Sequence, residues 1–255
     1  MLETLLAISV SVLLLVWMLK MKKDDPFPKY TVVKLLIFGA VAVAVSGVVT
    51  LIGSLINFLI QIGPEKLKLM TDTESALKVI TEIANTSKAI TLEKALIGFV
   101  RTFIVVGLVE ELFKFLAARI VMKKEGVVYT WMDALLCMAI AAVGFQLIED
   151  IGYSEGSIVI AIIRALTPYH FTFGVIMGYF YGLGKAKGKP FFTFLSVLIP
   201  ALIHTLYDFS INIVVQDERF FGLTLGVNVF MFVLTIFMIL KLRDWHKEGT
   251  LDTHI

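Results

Sequence analysis

The sequence predicts an all-α fold, a polytopic transmembrane helical bundle of about seven spans, and three observations predict it. Fifty-eight per cent of the 255 residues are hydrophobic and the mean hydropathy is +0.88, against roughly 45–50% apolar residues in a soluble globular chain. Apolar runs long enough to cross a bilayer, about 20 residues as a helix, recur along the whole chain. Lysines and arginines gather in alternate loops, as the positive-inside rule describes.

The first run, residues 2–19, has no basic residue before it and no small-residue cleavage site after it, so it reads as a retained helix and not a signal peptide. A basic stretch follows, with Lys20, Lys22, Lys23, Lys29 and Lys34, and then a second run at 35–62. Residues 63–94 form the only sizeable polar segment, with five Lys against five acids. Thr71 to Glu74 fits a capping box there, and Leu77, Ile80, Ala84 and Ser87 share one helix side. This segment is expected to be an external, partly helical connector on the membrane surface; a substrate-gating lid is the alternative. Further spans are expected at 96–121, 131–153, 157–183, 191–215 and 220–242.

Arg119, Lys123 and Lys124, then Lys185, Lys187 and Lys189, then Lys241, Arg243 and Lys247 fall on the same side as the first basic stretch, and the short loops opposite hold only Arg219. The N-terminus is therefore expected outside and the C-terminus in the cytosol, with the chain a multi-pass protein of the cell (plasma) membrane. No repeat or composition shift divides it, so residues 1–255 read as a single transmembrane domain. Cys137 stands alone and forms no intramolecular disulfide. Topology accounts for the basic excess, and no nucleic-acid partner is inferred.

Residues that are costly at membrane depth carry the functional reading, because a charged side chain at a helix centre costs about 2.5–3.5 kcal/mol even on lenient scales. The third span holds Arg101, Glu110, Glu111 and Lys114; the fourth ends in Glu149, Asp150 and Tyr153; the fifth holds Arg164 and His170; the sixth holds His204 and Asp208. Such a concentration requires a shared polar interior. Glu110 and Lys114 lie one turn apart, whereas Glu111 is rotated by about 100°. One of the two acids is expected to deprotonate a water while its neighbour orients a ligand or substrate, with Lys114 fixing its charge. The structural alternative is that Lys114 pairs with one acid and Arg101 or Arg164 with the other.

His170 and His204 follow prolines by two and four positions, and kinks there would open a cavity. His170 also heads a line of Gly174, Gly178 and Gly182, a face that can approach another helix closely. Glu149, His170 and His204 are sufficient ligands for a catalytic zinc that keeps one position open for water. Asp208, one turn after His204, can hold the imidazole in one tautomer or can simply hydrate the helix. Asp150 and Tyr153 can orient Glu149 and a substrate carbonyl, or can mark an interfacial helix end. Counted at 1.5 Å per residue, His170, Glu111 and His204 lie on the order of 15–21 Å from the external edge and Glu149 roughly 6–9 Å, so either the fourth helix runs on past Tyr153 or the site opens outward.

At these positions the chain resembles the PrsW family of intramembrane proteases, related to the CAAX- and Abi-type membrane endopeptidases. The resemblance rests on Glu110-Glu111-x-x-Lys114, on Gly144-Phe145 followed by Glu149 and Tyr153, on Arg164 with His170 and Gly178, and on His204-x-x-x-Asp208. Two positions depart from the family pattern, Asp150 and Asp208, where Asn is common. The resemblance implies proteolysis of a membrane-anchored protein substrate such as an anti-sigma factor. It leaves two mechanisms open: a zinc enzyme with a glutamate base, or a metal-free one in which Glu110, Glu149, His204 and Asp208 activate water and stabilise the oxyanion.

The sequence therefore predicts an intramembrane, metal-dependent endopeptidase with Glu110 or Glu111 as base, Glu149, His170 and His204 as zinc ligands, and Lys114 and Arg164 as supporting charges. A proton- or cation-coupled transporter is the alternative from another class, since it also places acids and histidines near the midplane. A scaffold whose charges only join helices is a third.

Overall fold

The computed structural model describes residues 1–86 and 90–255, and the described chain is helical apart from short connections. The helices are α1 (Leu2–Met21), α2 (Lys29–Leu69), α3 (Thr73–Thr86), α4 (Leu92–Thr102), α5 (Leu108–Glu125), α6 (Trp131–Ser154), α7 (Ile158–Leu166), α8 (Tyr169–Ala186), α9 (Pro190–Gln216) and α10 (Phe221–Glu248). Among the described residues the only extended pairing is an isolated bridge between Thr130 and His254.

Six stretches are long and apolar enough to cross a membrane: Leu2–Met21, Lys29–Ile60, Trp131–Ser154, Ile158–Ala186, Pro190–Gln216 and Glu218–Glu248. The expected run at 96–121 is not among them. Its backbone is helical, but Arg101, Glu110, Glu111 and Lys114 make it too polar, and a five-residue π-turn at Phe103–Gly107 separates α4 from α5. Such turns insert an extra residue and often sit beside functional residues.

The connector differs from expectation in its cap. Asp72 precedes α3 and accepts the Ser75 N–H at 2.9 Å, while the Ser75 hydroxyl accepts the Asp72 N–H at 3.1 Å. Asp72 and Ser75 form the reciprocal pair, so the cap falls one residue later than Thr71 to Glu74 suggested. Ser87, expected on the apolar side of this helix, lies outside the described residues.

The two prolines act differently. Pro168 ends the run begun at α7, because a residue before proline disfavours the helical region, and Thr167 sits at φ −127°, ψ 71°. His170 thus opens α8 and does not sit in mid-helix. Pro200 lies inside α9, which runs on without a break.

Helix α6 is the hub, with 83% of its apolar window buried. A β-carbon at Gly178 would collide with the backbone of Leu135, and one at Gly174 would reach Ala142 Cβ at 2.6 Å, so the expected glycine face of α8 packs directly on α6. On its other side, Gly39 of α2 abuts the Ala141 carbonyl and Gly144 of α6 abuts the Leu36 backbone. The N-terminal amides of α6 are fully supplied: Thr130 and Asp133 make a reciprocal capping box, and Leu251 and Thr253 carbonyls accept from Met132 (2.9 Å) and Trp131 (3.0 Å). Buried Asp133 is matched by Lys22 at 2.8 Å. With that end fixed, the last turn of α6 presents Glu149 and Asp150 to α7 and α8.

Candidate active site

The π-turn brings the start of α5 against α9: a β-carbon on Gly107 would overlap Thr205 Oγ1 and the Ala201 carbonyl. One turn later the two adjacent acids divide around a single imidazole. Glu111 is fully buried and its Oε1 accepts the His204 Nδ1–H at 2.9 Å. Glu110 lies on the other edge, its Oε2 3.8 Å from His204 Nε2, where Asp208 Oδ2 stands at 3.3 Å. The 100° rotation between neighbours is therefore used to grip both sides of one ring.

Lys114 is 1% exposed and donates to Glu111 Oε1 at 2.6 Å and to His170 Nδ1 at 2.7 Å, with Nζ 4.0 Å from the Phe145 ring centre. An ammonium carries donors only, so His170 Nδ1 accepts and its proton sits on Nε2, which donates to Glu149 Oε2 at 2.7 Å. Arg164 Nη2 donates to the same carboxylate oxygen at 3.1 Å, and Arg164 Nε donates to Asp150 Oδ1 at 2.6 Å. Ser11 of α1 completes the series by donating to Asp150 Oδ2 at 3.2 Å. One connected network thus runs through α1, α6, α7, α8, α5 and α9.

Of the residues singled out from sequence, Glu110, Glu111, Lys114, Glu149, Asp150, Arg164, His170, His204 and Asp208 meet here. Arg101 does not: it is exposed on the far side of the π-turn, lining an apolar surface groove with Asn57 and Ile97, and Arg164 pairs with Glu149 and Asp150 and not with Glu110 or Glu111. Tyr153 is 62% exposed and reaches the cluster only through its ring, 5.1 Å from the Arg164 guanidinium. Asp208 sits at His204 Nε2, and it is Glu111 that holds the Nδ1 edge. Glu149 stands against His170 and Arg164; the donors that converge most tightly are Glu110, His170 and His204, with ligand atoms all within 4.8 Å of one another.

Four contributors were not anticipated. Ser11 is a single hydroxyl on an apolar helix and carries no spacing signal. Gln146 accepts the Phe171 N–H at 3.1 Å, one of the amides left open where Pro168 starts α8; a polar residue within an apolar run was the available clue. Tyr169 and Tyr207, each beside a site histidine or acid in sequence, share a 2.5 Å hydroxyl contact.

Comparison with known proteins decides the family. The model of the "PrsW family intramembrane metalloprotease" matches residues 27–239. The chain belongs to the PrsW family. It is 31% identical to Protease PrsW of Oceanobacillus iheyensis over 161 residues, 60% of this chain and 71% of that protein. It is 33% identical to Protease PrsW of Bacillus subtilis over 48% of this chain and 60% of that protein, and 33% identical to that of Clostridioides difficile over 44% and 52%. No solved structure matches. PrsW membership makes the chain a membrane peptidase and does not favour the transporter alternative.

A PrsW metal site can be tested against the side chains present. Five acids, Glu110, Glu111, Glu149, Asp150 and Asp208, face two fixed cations, Lys114 and Arg164, an excess of negative charge that is costly in a buried cluster. Glu110 Oε2 and Glu111 Oε2 are buried and accept no hydrogen bond from a described residue. Two imidazoles and a carboxylate within 4.8 Å are the donor types a divalent transition metal takes. The residues fit a divalent cation.

Proposed function

We propose that this chain hydrolyses a peptide bond of a membrane-anchored protein substrate, of the anti-sigma-factor kind the family resemblance implies, in or near the external half of the bilayer. Residues 1–255 act as one unit in this reading, with 63–94 an external connector. The observation that supports it is the convergence of Glu110, His170 and His204 inside an otherwise apolar bundle. These three would hold the metal, with zinc the expected ion. When bound, it would act as a Lewis acid on the scissile carbonyl and bring the pKa of a water to about 7.

The protein's own groups do the rest. Glu111 accepts the His204 Nδ1–H, which leaves Nε2 facing the cavity. Glu149, held through Oε2 by Arg164 and His170, takes the water proton on Oε1 and returns it to the leaving amine nitrogen. Lys114 fixes Glu111 and His170 relative to each other. Asp208, 24% exposed at the rim, accepts a substrate amide hydrogen. Asp150 and Ser11 set the direction of Arg164 and act through it.

A metal-free route is favoured by one feature: both ring nitrogens of His170 are already engaged, by Lys114 and by Glu149. In that reading Glu110, whose Oε2 accepts no hydrogen bond from a described residue, is the base, and His204 meets the developing oxyanion.

Elemental analysis of the purified protein, joined to cleavage of a tethered reporter, separates the two. On the metal reading, one ion is bound per chain, Glu110→Gln loses ion and cleavage together, and Glu149→Gln keeps the ion while losing cleavage. Full cleavage without a bound ion, unaffected by chelator and abolished by Glu110→Gln, establishes the metal-free route. Wild-type cleavage by both Glu110→Gln and His204→Ala refutes both.

A further inference from the structure

Helices α5 and α8 carry the candidate site at one end and a second concentration of charge at the other. Lys123 lies 12 residues beyond Glu111 and Lys185 lies 15 beyond His170, roughly 18 and 22 Å along the helix axes. There Arg119, Lys123 and Lys185 line a cavity of about 330 Å³.

Two of the three cations, Arg119 and Lys185, rest on an aromatic pair. Phe115 and Tyr181 meet edge to face at 5.6 Å, the Arg119 guanidinium lies 5.9 Å from the Phe115 ring centre, and Lys185 Nζ lies 5.8 Å from that of Tyr181. The cavity is closed by Ile255 and, among the described residues, no acidic side chain lines it and no ion pair involves any of these three cations. Some cations on the same side of the protein are answered locally: Lys22 by Asp25 and Asp133, Lys34 by Glu125, Arg243 by Asp244. Three like charges around one concavity repel, and an anion in it offsets that repulsion. Met122 and Val128 add apolar wall, and Ile120, on the neighbouring surface of α5, is 51% exposed. An anion that brings hydrocarbon with it suits both surfaces.

We propose that this cavity binds the phosphate-bearing headgroup of an anionic phospholipid, with the acyl chains lying along α5. Basic pockets between transmembrane helices take such headgroups, each cation near the surface contributing about 1 kcal/mol, or roughly fivefold in affinity. The site does not depend on the catalytic reading.

The test is native mass spectrometry of the full chain offered equal amounts of phosphatidylglycerol and phosphatidylcholine, with and without inorganic phosphate. The wild-type protein should retain phosphatidylglycerol preferentially. Arg119→Gln/Lys123→Gln/Lys185→Gln should abolish the preference, and single replacements should each lower it roughly fivefold. Lys241→Gln/Arg243→Gln/Lys247→Gln, which neutralises the same number of cations on α10, should leave it unchanged. Equal losses in the two triple variants would overturn the proposal, because general surface charge would then be the cause. So would displacement of the lipid by inorganic phosphate at comparable concentration, which would make the cavity a soluble-anion site. Should the first triple variant fail to fold, Arg119→Lys/Lys123→Arg/Lys185→Arg must keep the preference and Lys185→Gln must reduce it, or the proposal fails.

Discussion

The central helices and the outer ones solve opposite problems with the same bilayer. In α6, 83% of the apolar window is buried, whereas α10 buries 17% and α1 and α2 bury 22% each. The outer helices are apolar all round and present Val233, Phe230, Val48 and Leu13 outward. The central ones and the inward face of α5 carry every charged group of the network. Charge at membrane depth is tolerated where protein, not lipid, is the neighbour and each ion finds a partner. The outer helices supply the wall and the inner ones the chemistry.

That contrast can be broken most severely at the network's reactive edge. His204→Ala should reduce cleavage of a tethered substrate by about 10²–10⁴-fold, the usual worth of a proton-transfer group, with the protein still folded by detergent-resistant thermal melting. A residual rate within tenfold of wild type would remove His204 from the chemistry. Next, Lys114→Met leaves Glu111 buried beside a neutral side chain, and losing one partner of a buried pair should destabilise by about 3–5 kcal/mol. Pairing it with Glu111→Gln should recover most of that loss, and a double variant as unstable as the single would show that the ion pair is not the cause.

How much of this contrast the sequence reveals depends on what kind of signal each part leaves. The outer helices are plain as uninterrupted apolar runs, and the acids and histidines of the network stand out because each is expensive where it lies. Phase is what stays hidden. The π-turn at Phe103–Gly107 leaves no compositional mark, so the separation of Arg101 from the acids of α5 is not legible in the residue spacing. Pairing across helices is equally silent: Glu149 reads as a ligand from its residue type, yet its partners, His170 and Arg164, are set by the break at Pro168. Ser11 could not be found, since one hydroxyl hydrogen-bonded within or between helices costs little.

Smaller changes sharpen the comparison. Gly178→Ala should cost about 1–3 kcal/mol because overpacking a close contact forces backbone shifts, and an equally stable variant would mean that α8 can move off Leu135. Asp150→Asn keeps an acceptor for Arg164 and can donate its amide N–H to the Ser11 hydroxyl, but removes one charge; cleavage should fall only a few-fold, about 0.5–1.5 kcal/mol for one weakened bond. A much larger fall would make Asp150 part of the reaction itself. On the outer wall, Val233→Leu should change stability by less than about 0.5 kcal/mol, as replacements away from packed contacts do. A larger change would place a partner against α10.

Hydrolysis consumes a water molecule at every turnover, and the bundle's exposed edge dictates its supply. Among the network's carboxylates, Glu111 and Asp150 are sealed at 0% exposure, while the side chains of Glu149, Glu110 and Asp208 show 12%, 15% and 24%. Three carboxylates facing acyl chains would be prohibitively expensive, so the opening they line has to be hydrated. Its negative rim would draw in small cations and the amide hydrogens of an unwound chain, and would hold back anionic inhibitors and fatty acids from the surrounding lipid.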